Sequence, residues 1–491
     1  MDPPMTATIT RRHVVLFPFP AHGHLPGILA VARLIRRAFP TEAVTITLVC
    51  TERNVPALRA SSIDDSIDDI HPLPFAPSDH GLPADNESTS TLQVAQFITL
   101  FEAFESLEPA FDAFIAALLA REQGAGGGSG GVCVVADPTV AWTVDVARRR
   151  GCAHALYLCC GAFGTAILHA LWRNMPALPF GPDGLLRLPE HPEVVLHRSQ
   201  LSSTFLDADG AERWTAYQHR RMRHAYRTDA VIINTVEDLD PTGLSMVRRA
   251  LGDVVPVFPV GPLVRDSDET TTTTHDVLGW LDTQRPASVL YISFGSQNAL
   301  RPKQMAALAD ALESTGRPFV WAVRAAGAGE PPYVEWTGFE ERARAQNRGL
   351  VLRGWAPQVS ILAHGSTGGF LSHCGWNSVL ESLTRGVPIL GWPVSAEQFY
   401  NATMLEEVWG VCVEVARGNQ LDSPAVESSK LGQAVEAVMG DATSIRRRVL
   451  EVQELLKGAW AEDGGSSTAA LQGFFKAMRL VSTTTTTTLS I

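Results

Sequence analysis

The chain has 491 residues, 45% of them hydrophobic and 19% charged; this size and balance suit two or more well-buried domains that need neither disulfides nor a metal for stability. Its formal net charge of −12 argues against nucleic acid or an anionic membrane as the main partner, because both reward basic patches. No apolar run reaches the ~18 residues of a membrane span, and Arg11–Arg12 lead into a stretch broken by prolines and by His13, His22 and His24 that does not read as a secretory signal.

In chain order, His13–Phe19 (HVVLFPF) reads as a buried strand and Leu25–Arg37 as a helix with apolar residues at helical spacing. Val44–Cys50 (VTITLVC) is a second strand, Val132–Ala136 (VCVVA) a third with a helix near Val140–Arg150 after it, His154–Leu158 a fourth and Ala230–Thr235 (AVIINT) a fifth. Arg265–His275, polar and with five consecutive threonines, reads as a linker. The alternation then restarts: strand Ser288–Phe294, helix Pro302–Ser314, then strands at Phe319–Arg324, Leu350–Leu352, Gly369–Leu371 and Val387–Leu390. Alternating β and α predicts parallel sheets covered by helices on both faces, so an α/β protein of two doubly wound domains with a cleft between them. The tail, with six threonines after Val481–Ser482, is of low complexity and is expected to be disordered.

The seven cysteines lie at 50, 133, 152, 159, 160, 374 and 412 with no CxxC pair, which points to buried reduced thiols and a cytoplasmic location. Gly126, Gly128 and Gly131 match G-x-G-x-x-G, but they precede a strand, whereas a dinucleotide fingerprint follows one and opens a helix. No Walker A sequence and no His/Cys cluster with zinc spacing occurs.

The stretch 355–398 concentrates the chemistry. Gly369–Ser372 is a short strand, Gly375 allows a tight turn, Ser378 with Glu381 fits an S-x-x-E capping box, and Gly386 with Pro388 ends the helix. A helix N-terminus aimed at a cleft suits a phosphate. His373, Asn377 and Ser378 add hydrogen-bond donors, Trp355 and Trp376 offer flat faces, and Glu397 with Gln398 could read sugar hydroxyls. By pattern alone Glu381 is equally a helix cap, the tryptophans core and His373 a satisfied polar residue.

This stretch, with WAPQ at its start, HCGWNSVLES in the middle and PVSAEQ at its end, resembles the 44-residue signature box of plant secondary-product UDP-glycosyltransferases. PFPAHGH (18–24), INTVEDLDP (233–241), PVGPL (259–263), SFGS (293–296), GFEER (338–342) and EDGGSST (462–468) follow the family's order through nearly the whole chain. The resemblance implies the GT-B fold: an acceptor-binding domain over 1–263, a linker over 264–275, a UDP-sugar domain over 276–460, a C-terminal segment 461–480 packing back on the first domain, and the tail 481–491.

Carried over by position, Trp355 would stack on uracil, with Ala356 and Gln358 against the uridine, and Glu381 would bind the ribose. Ser296, His373, Asn377 and Ser378 would hold the diphosphate, and Trp376, Glu397 and Gln398 the sugar. Gln398 resembles the glucose-preferring members. His24 matches the catalytic base and Asp137 its partner, at the end of VCVVA; His22 is a distractor. The implied reaction is inverting transfer of glucose from UDP-glucose to a hydroxyl of a small apolar or phenolic acceptor such as a flavonoid or terpenoid, with no metal, no cofactor and a monomeric enzyme. Carbon glycosylation of a phenolic ring, or a non-catalytic UDP-sugar-binding protein, is the alternative. The chain departs from the family at Cys160, where many members carry a Thr or Ser touching the sugar. Phe19, Phe97, Phe101, Phe205 and Trp214 are candidate apolar walls of the acceptor pocket.

Overall fold

The computed structural model describes residues 12–60, 66–89, 92–124, 131–176, 178–265, 271–297, 299–323, 338–418, 423–440 and 444–481. The glycine run at 125–130, the linker's centre at 266–270 and the tail beyond 481 lie outside them.

The first domain is built on β1 (Arg12–Phe17), β2 (Val44–Thr51), β3 (Asp69–Leu73), β4 (Val132–Ala136), β5 (Ala153–Leu158), a hairpin of β6 (Leu185–Leu188) and β7 (His191–His197), β8 (Ala230–Ile233) and β9 (Val257–Pro259). All but the hairpin form one parallel sheet in the order β3-β2-β1-β4-β5-β8-β9. Side chains alternate across it: Val15 and Phe17 of β1 enter one apolar core, Val14 and Leu16 the core on the opposite face. The helix Leu25–Ala38 buries Ile28, Val31, Ala32 and Ile35 on one side, as its helical spacing predicts.

The second domain carries β10 (Val289–Ser293), β11 (Phe319–Val323), β12 (Gly349–Arg353), β13 (Thr367–Ser372), β14 (Ile389–Gly391) and β15 (Cys412–Glu414) in the order β12-β11-β10-β13-β14-β15. The helix Ser466–Ala477 returns to the first domain: Phe475 packs on Phe39 with ring centroids 5.0 Å apart, and Ser467 donates to the carbonyl of Gly261.

The two doubly wound parallel sheets agree with the sequence pattern. The strands β3, β9, β15 and the hairpin were not anticipated, being short, at sheet edges, or lacking an alternating run. The helix expected near 140–150 is a short 3-10 turn (Pro138–Val140) followed by an α-helix (Thr143–Arg150). The capping-box reading is corrected: the helix starts at Trp376, not Ser378, and runs to Thr384 behind Gly375, which supplies no side-chain cap. Glu381 therefore sits inside the helix, where its carboxylate has other partners.

Candidate functional site

Each sheet has a switch point where the strand order reverses, and ligands of open α/β sheets gather beyond the strand ends there. In the first sheet this falls between β1 and β4, which pair in register from His13↔Val132 to Phe17↔Ala136. The residue after β4 is Asp137, whose amide donates to the Phe17 carbonyl at 2.9 Å. The loop after β1 ends at His24, the residue preceding the helix Leu25–Ala38.

The two side chains meet: His24 Nδ1 lies 2.6 Å from Asp137 Oδ2. Asp137 is buried, at 1% exposure, while the imidazole is 32% exposed and also has the Cys159 thiol beside it. The amide of Thr139 donates to Asp137 Oδ1 at 2.8 Å, so both carboxylate oxygens are fixed. Burial by itself lowers the His24 imidazole, but Asp137, and after it Cys159, outweigh burial and hold it well above its ordinary 6.5. Burial would raise Asp137; His24 and the Thr139 amide hold it below the usual carboxylate value. His22 is exposed and takes no part in this pair.

Beside them stand Cys159 and Cys160, with sulfurs 3.8 Å apart. A hydrogen bond from Cys160, helped against burial by His24, brings the Cys159 thiol down to about 5. Burial raises Glu397, whose carboxyl also faces Cys160. The expected donor contact at Cys160 is thus a thiol already engaged with Cys159 and Glu397.

In the second sheet the switch point lies between β10 and β13, in register up to Ser293↔Ser372. The turn after β10 carries Gly295 and Ser296; the turn after β13 carries His373 and opens the helix Trp376–Thr384. The absence of a side-chain cap leaves the first amides of that helix available. His373 is buried against both turns: a Cβ on Gly295, at φ +75°, would fall 2.6 Å from its Nε2. Burial lowers this imidazole to about 4, so it is neutral at physiological pH.

Further along, Gln358 Nε2 donates to Ser378 Oγ at 2.9 Å and to Glu381 Oε2 at 2.7 Å. Arg265 donates to the other carboxylate oxygen of Glu381 at 3.1 and 3.2 Å. Ala356 is held in the same turn by accepting from the Gln358 amide at 2.8 Å. Trp355 stands out at 48% exposure, unusual for so large an apolar side chain and suited to a stacking partner. Gln398 Oε1 accepts from the amides of Val394 and Ser395 at 3.0 and 2.9 Å, leaving its NH2 group to donate elsewhere.

The two halves are tied across the cleft. Asn377 Nδ2 donates to the carbonyl of Gly23, next to His24, at 2.9 Å. The Trp376 indole is 3% exposed, donates to the carbonyl of Asn234 at 2.5 Å, and leaves 2.8 Å to an ideal Cβ at Gly161. Asn234 also exchanges two hydrogen bonds with the backbone of Leu263. Asp240 accepts from the amides of Ala162, Phe163 and Gly243 and from the Thr235 hydroxyl, pinning the helices Ala162–Arg173 and Pro241–Ala250 together. Sequence reading missed Asn234 and Asp240 as supports of the site; the polar run INTVEDLDP after an apolar strand was the available signal.

A cavity of about 980 Å³, mouth included, opens at His24, Asp137, Cys159, Cys160 and Glu397 and runs into the first domain. Its walls are mostly apolar, among them Leu156, Leu158, Ala166, Met222 and Val247. None of the five aromatics proposed as acceptor walls lines it. Phe19 is buried edge-on to His24, ring centroids 5.8 Å apart; Phe101 packs on Phe19 and Trp214; Phe97 lies against Phe101; Phe205 packs on Trp172. Phe19 and Phe205 belong to the first domain's core, and Phe97, Phe101 and Trp214 pack against it, half-buried.

The family model described as "UDP-glucoronosyl and UDP-glucosyl transferase" matches residues 273–457. UDP-glycosyltransferase 92A1 of Arabidopsis thaliana is 36% identical, the match covering 94% of this chain and 96% of that protein. Crocetin glucosyltransferase 3 of Crocus sativus is 34% identical over 94% of this chain and 98% of its own length. Among solved structures, Medicago truncatula UGT71G1 complexed with UDP-glucose superposes with a TM-score of 0.77 at 26% identity, covering 96% of this chain and all of that one.

Proposed function

The chain belongs to the plant UDP-glycosyltransferases, and from that premise we propose that it transfers glucose from UDP-glucose, with inversion, to a hydroxyl of a small apolar or phenolic acceptor. The observation that carries this reading is the Asp137-braced imidazole of His24 at the mouth of an apolar cavity, tied through Gly23 and Asn377 to the uncapped N-terminus of the helix Trp376–Thr384.

With Nδ1 committed to Asp137, Nε2 takes the acceptor proton as the new oxygen–carbon bond forms at the anomeric centre. The bond from that carbon to the phosphate oxygen breaks on the opposite face, and UDP leaves with the electron pair. Charge growing on the diphosphate is met by the amides opening the helix, by Ser296, Asn377 and Ser378, and by the neutral His373. Trp355 with Ala356 and Gln358 holds the uridine. Glu381 accepts from the ribose hydroxyls, since each of its oxygens keeps a lone pair beyond Arg265 and Gln358. Glu397 and the NH2 of Gln398 read the glucose. The cavity takes the acceptor, and its apolar lining suits a phenolic or terpenoid body.

The test incubates the full chain with UDP-glucose and a panel of phenols, flavonols and hydroxylated terpenoids, following UDP release and product mass, with His24→Ala as control. A hexose adduct that needs His24 supports the reading. UDP-glucose binding with no transfer to any member would mark a sugar-nucleotide-binding protein instead.

A further inference from the structure

Helix Arg213–Ala225 places one guanidinium where the apolar cavity has no need of charge. Arg221 lines the cavity and is partly buried. Its neighbour Arg220 is paired with Glu102 and Glu105, whereas Arg221 has no carboxylate within ion-pair distance among the described residues. Two neighbouring polar groups, His169 and Glu190, are already engaged. His169 Nε2 bonds the Tyr226 hydroxyl at 2.8 Å, and Glu190 sits 4.0 Å from Arg173 while accepting from Asn174 at 3.0 Å. Burial, then Arg221 and Arg173, against an opposing Glu190, hold His169 down at about 4.

This region is remote from the reacting end. The helix Ala162–Arg173 passes Glu397 at Gly164, where an ideal Cβ would come within 3.3 Å of the Glu397 Cβ. His169 is five residues further on, about 7.5 Å along the axis at 1.5 Å per residue. The cavity therefore has a proton-accepting end at His24, an apolar middle, and a half-buried cation at the end lined by His169 and Tyr226. A half-buried guanidinium with no carboxylate in ion-pair distance among the described residues is open to an anion, and a planar carboxylate fits its fork bidentately.

We infer that the acceptor is an elongated apolar molecule bearing a carboxylate at the end remote from its reacting hydroxyl, with Arg221 as the group that binds the carboxylate. This deepens the glucosyltransferase reading and rests on it.

The experiment compares matched acceptors with the full chain and UDP-glucose: 4′-hydroxybiphenyl-4-carboxylic acid against 4-hydroxybiphenyl, and 6-hydroxy-2-naphthoic acid against 2-naphthol. The acid of each pair should be preferred in kcat/KM by about tenfold, as expected of a charge-assisted hydrogen bond. Arg221→Leu should remove most of that preference through KM, and Arg221→Lys should keep part of it. If Arg221→Leu does not fold, Arg221→Gln and the wild-type preference carry the test. Equal use of acid and neutral members, an acid preference untouched by Arg221 substitution, or an alkali-labile ester product showing the carboxyl seated at His24 each overturns this inference while leaving the glucosyltransferase reading standing. Transfer to no hydroxyl acceptor of the broad panel takes both down.

Discussion

His24 and Asp137, 113 residues apart in the chain, are joined by a 2.6 Å contact because the strands that precede them lie side by side. The chemistry of the first domain rests on that adjacency. His24→Ala should lower kcat by about 10²–10⁴-fold, the usual worth of a positioned proton acceptor. Binding of UDP, measured by calorimetry, should stay within a few-fold of the parent, because the proposed nucleotide contacts lie on the second domain. Wild-type turnover in this variant would falsify the assignment.

The pH profile has a defined sign. His24 is held above 6.5 chiefly by Asp137, which overcomes burial, and the reaction needs the neutral ring. The acid limb of kcat/KM should therefore lie above pH 6.5, with rate rising as pH increases through it. Asp137→Asn removes the carboxylate and leaves burial dominant, so the limb should move down while the maximum rate falls. Cys159→Ser removes a smaller contribution and should move it down less. Profiles recorded from pH 5.5 to 10 check this, and three coincident limbs would contradict the electrostatic account.

Glu381 receives Arg265 on one oxygen and Gln358 on the other, and is the proposed seat of the ribose. Glu381→Ala should raise the KM for UDP-glucose by tenfold or more, since hydrogen bonds to a charged group are worth about 1.5–3 kcal/mol. Titration with UDP should show the same loss. Unchanged UDP affinity would return Glu381 to a purely structural role between Arg265 and Gln358.

Gln398, the proposed reader of the glucose, would act through its NH2, because its carbonyl oxygen is held by the amides of Val394 and Ser395. Gln398→His should lower the rate with UDP-glucose relative to UDP-galactose. A donor ratio equal to wild type removes this residue from the specificity argument.

Asp240 is the buried fastener behind the cavity. Asp240→Ala strands three amides and a hydroxyl, and at about 1–3 kcal/mol for each buried unpaired group the loss of stability should be about 3 kcal/mol or more. Asp240→Asn keeps acceptor capacity and should cost less. Denaturant unfolding monitored by tryptophan fluorescence separates the two, and equal midpoints would mean that water satisfies the amides.

Much of the fold was legible because strands buried on both faces are short, continuous and apolar. VCVVA at 132–136 and the amphipathic helix after residue 24 leave little choice of period. Edge strands such as Cys412–Glu414 carry only three residues and no alternation, so nothing local marks them. The Ser378/Glu381 spacing fits a helix start as well as it fits successive turns inside a helix, and only the backbone shows the latter. The aromatics expected at the acceptor pocket lie outside the lining of the cavity at His24 for a related reason: composition supplies rings but not their direction.

By itself the sequence determined the two-domain α/β plan and pointed to the proposed donor segment and the proposed pair His24 and Asp137. Those features are written in local period and in motifs. Tertiary structure decided which loops share a switch point, that the Trp376 indole donates to Asn234 of the other domain, and that Arg221 lines the cavity with no carboxylate in ion-pair distance among the described residues. Each depends on contacts between segments far apart in the chain, and no local pattern records the partner of a side chain.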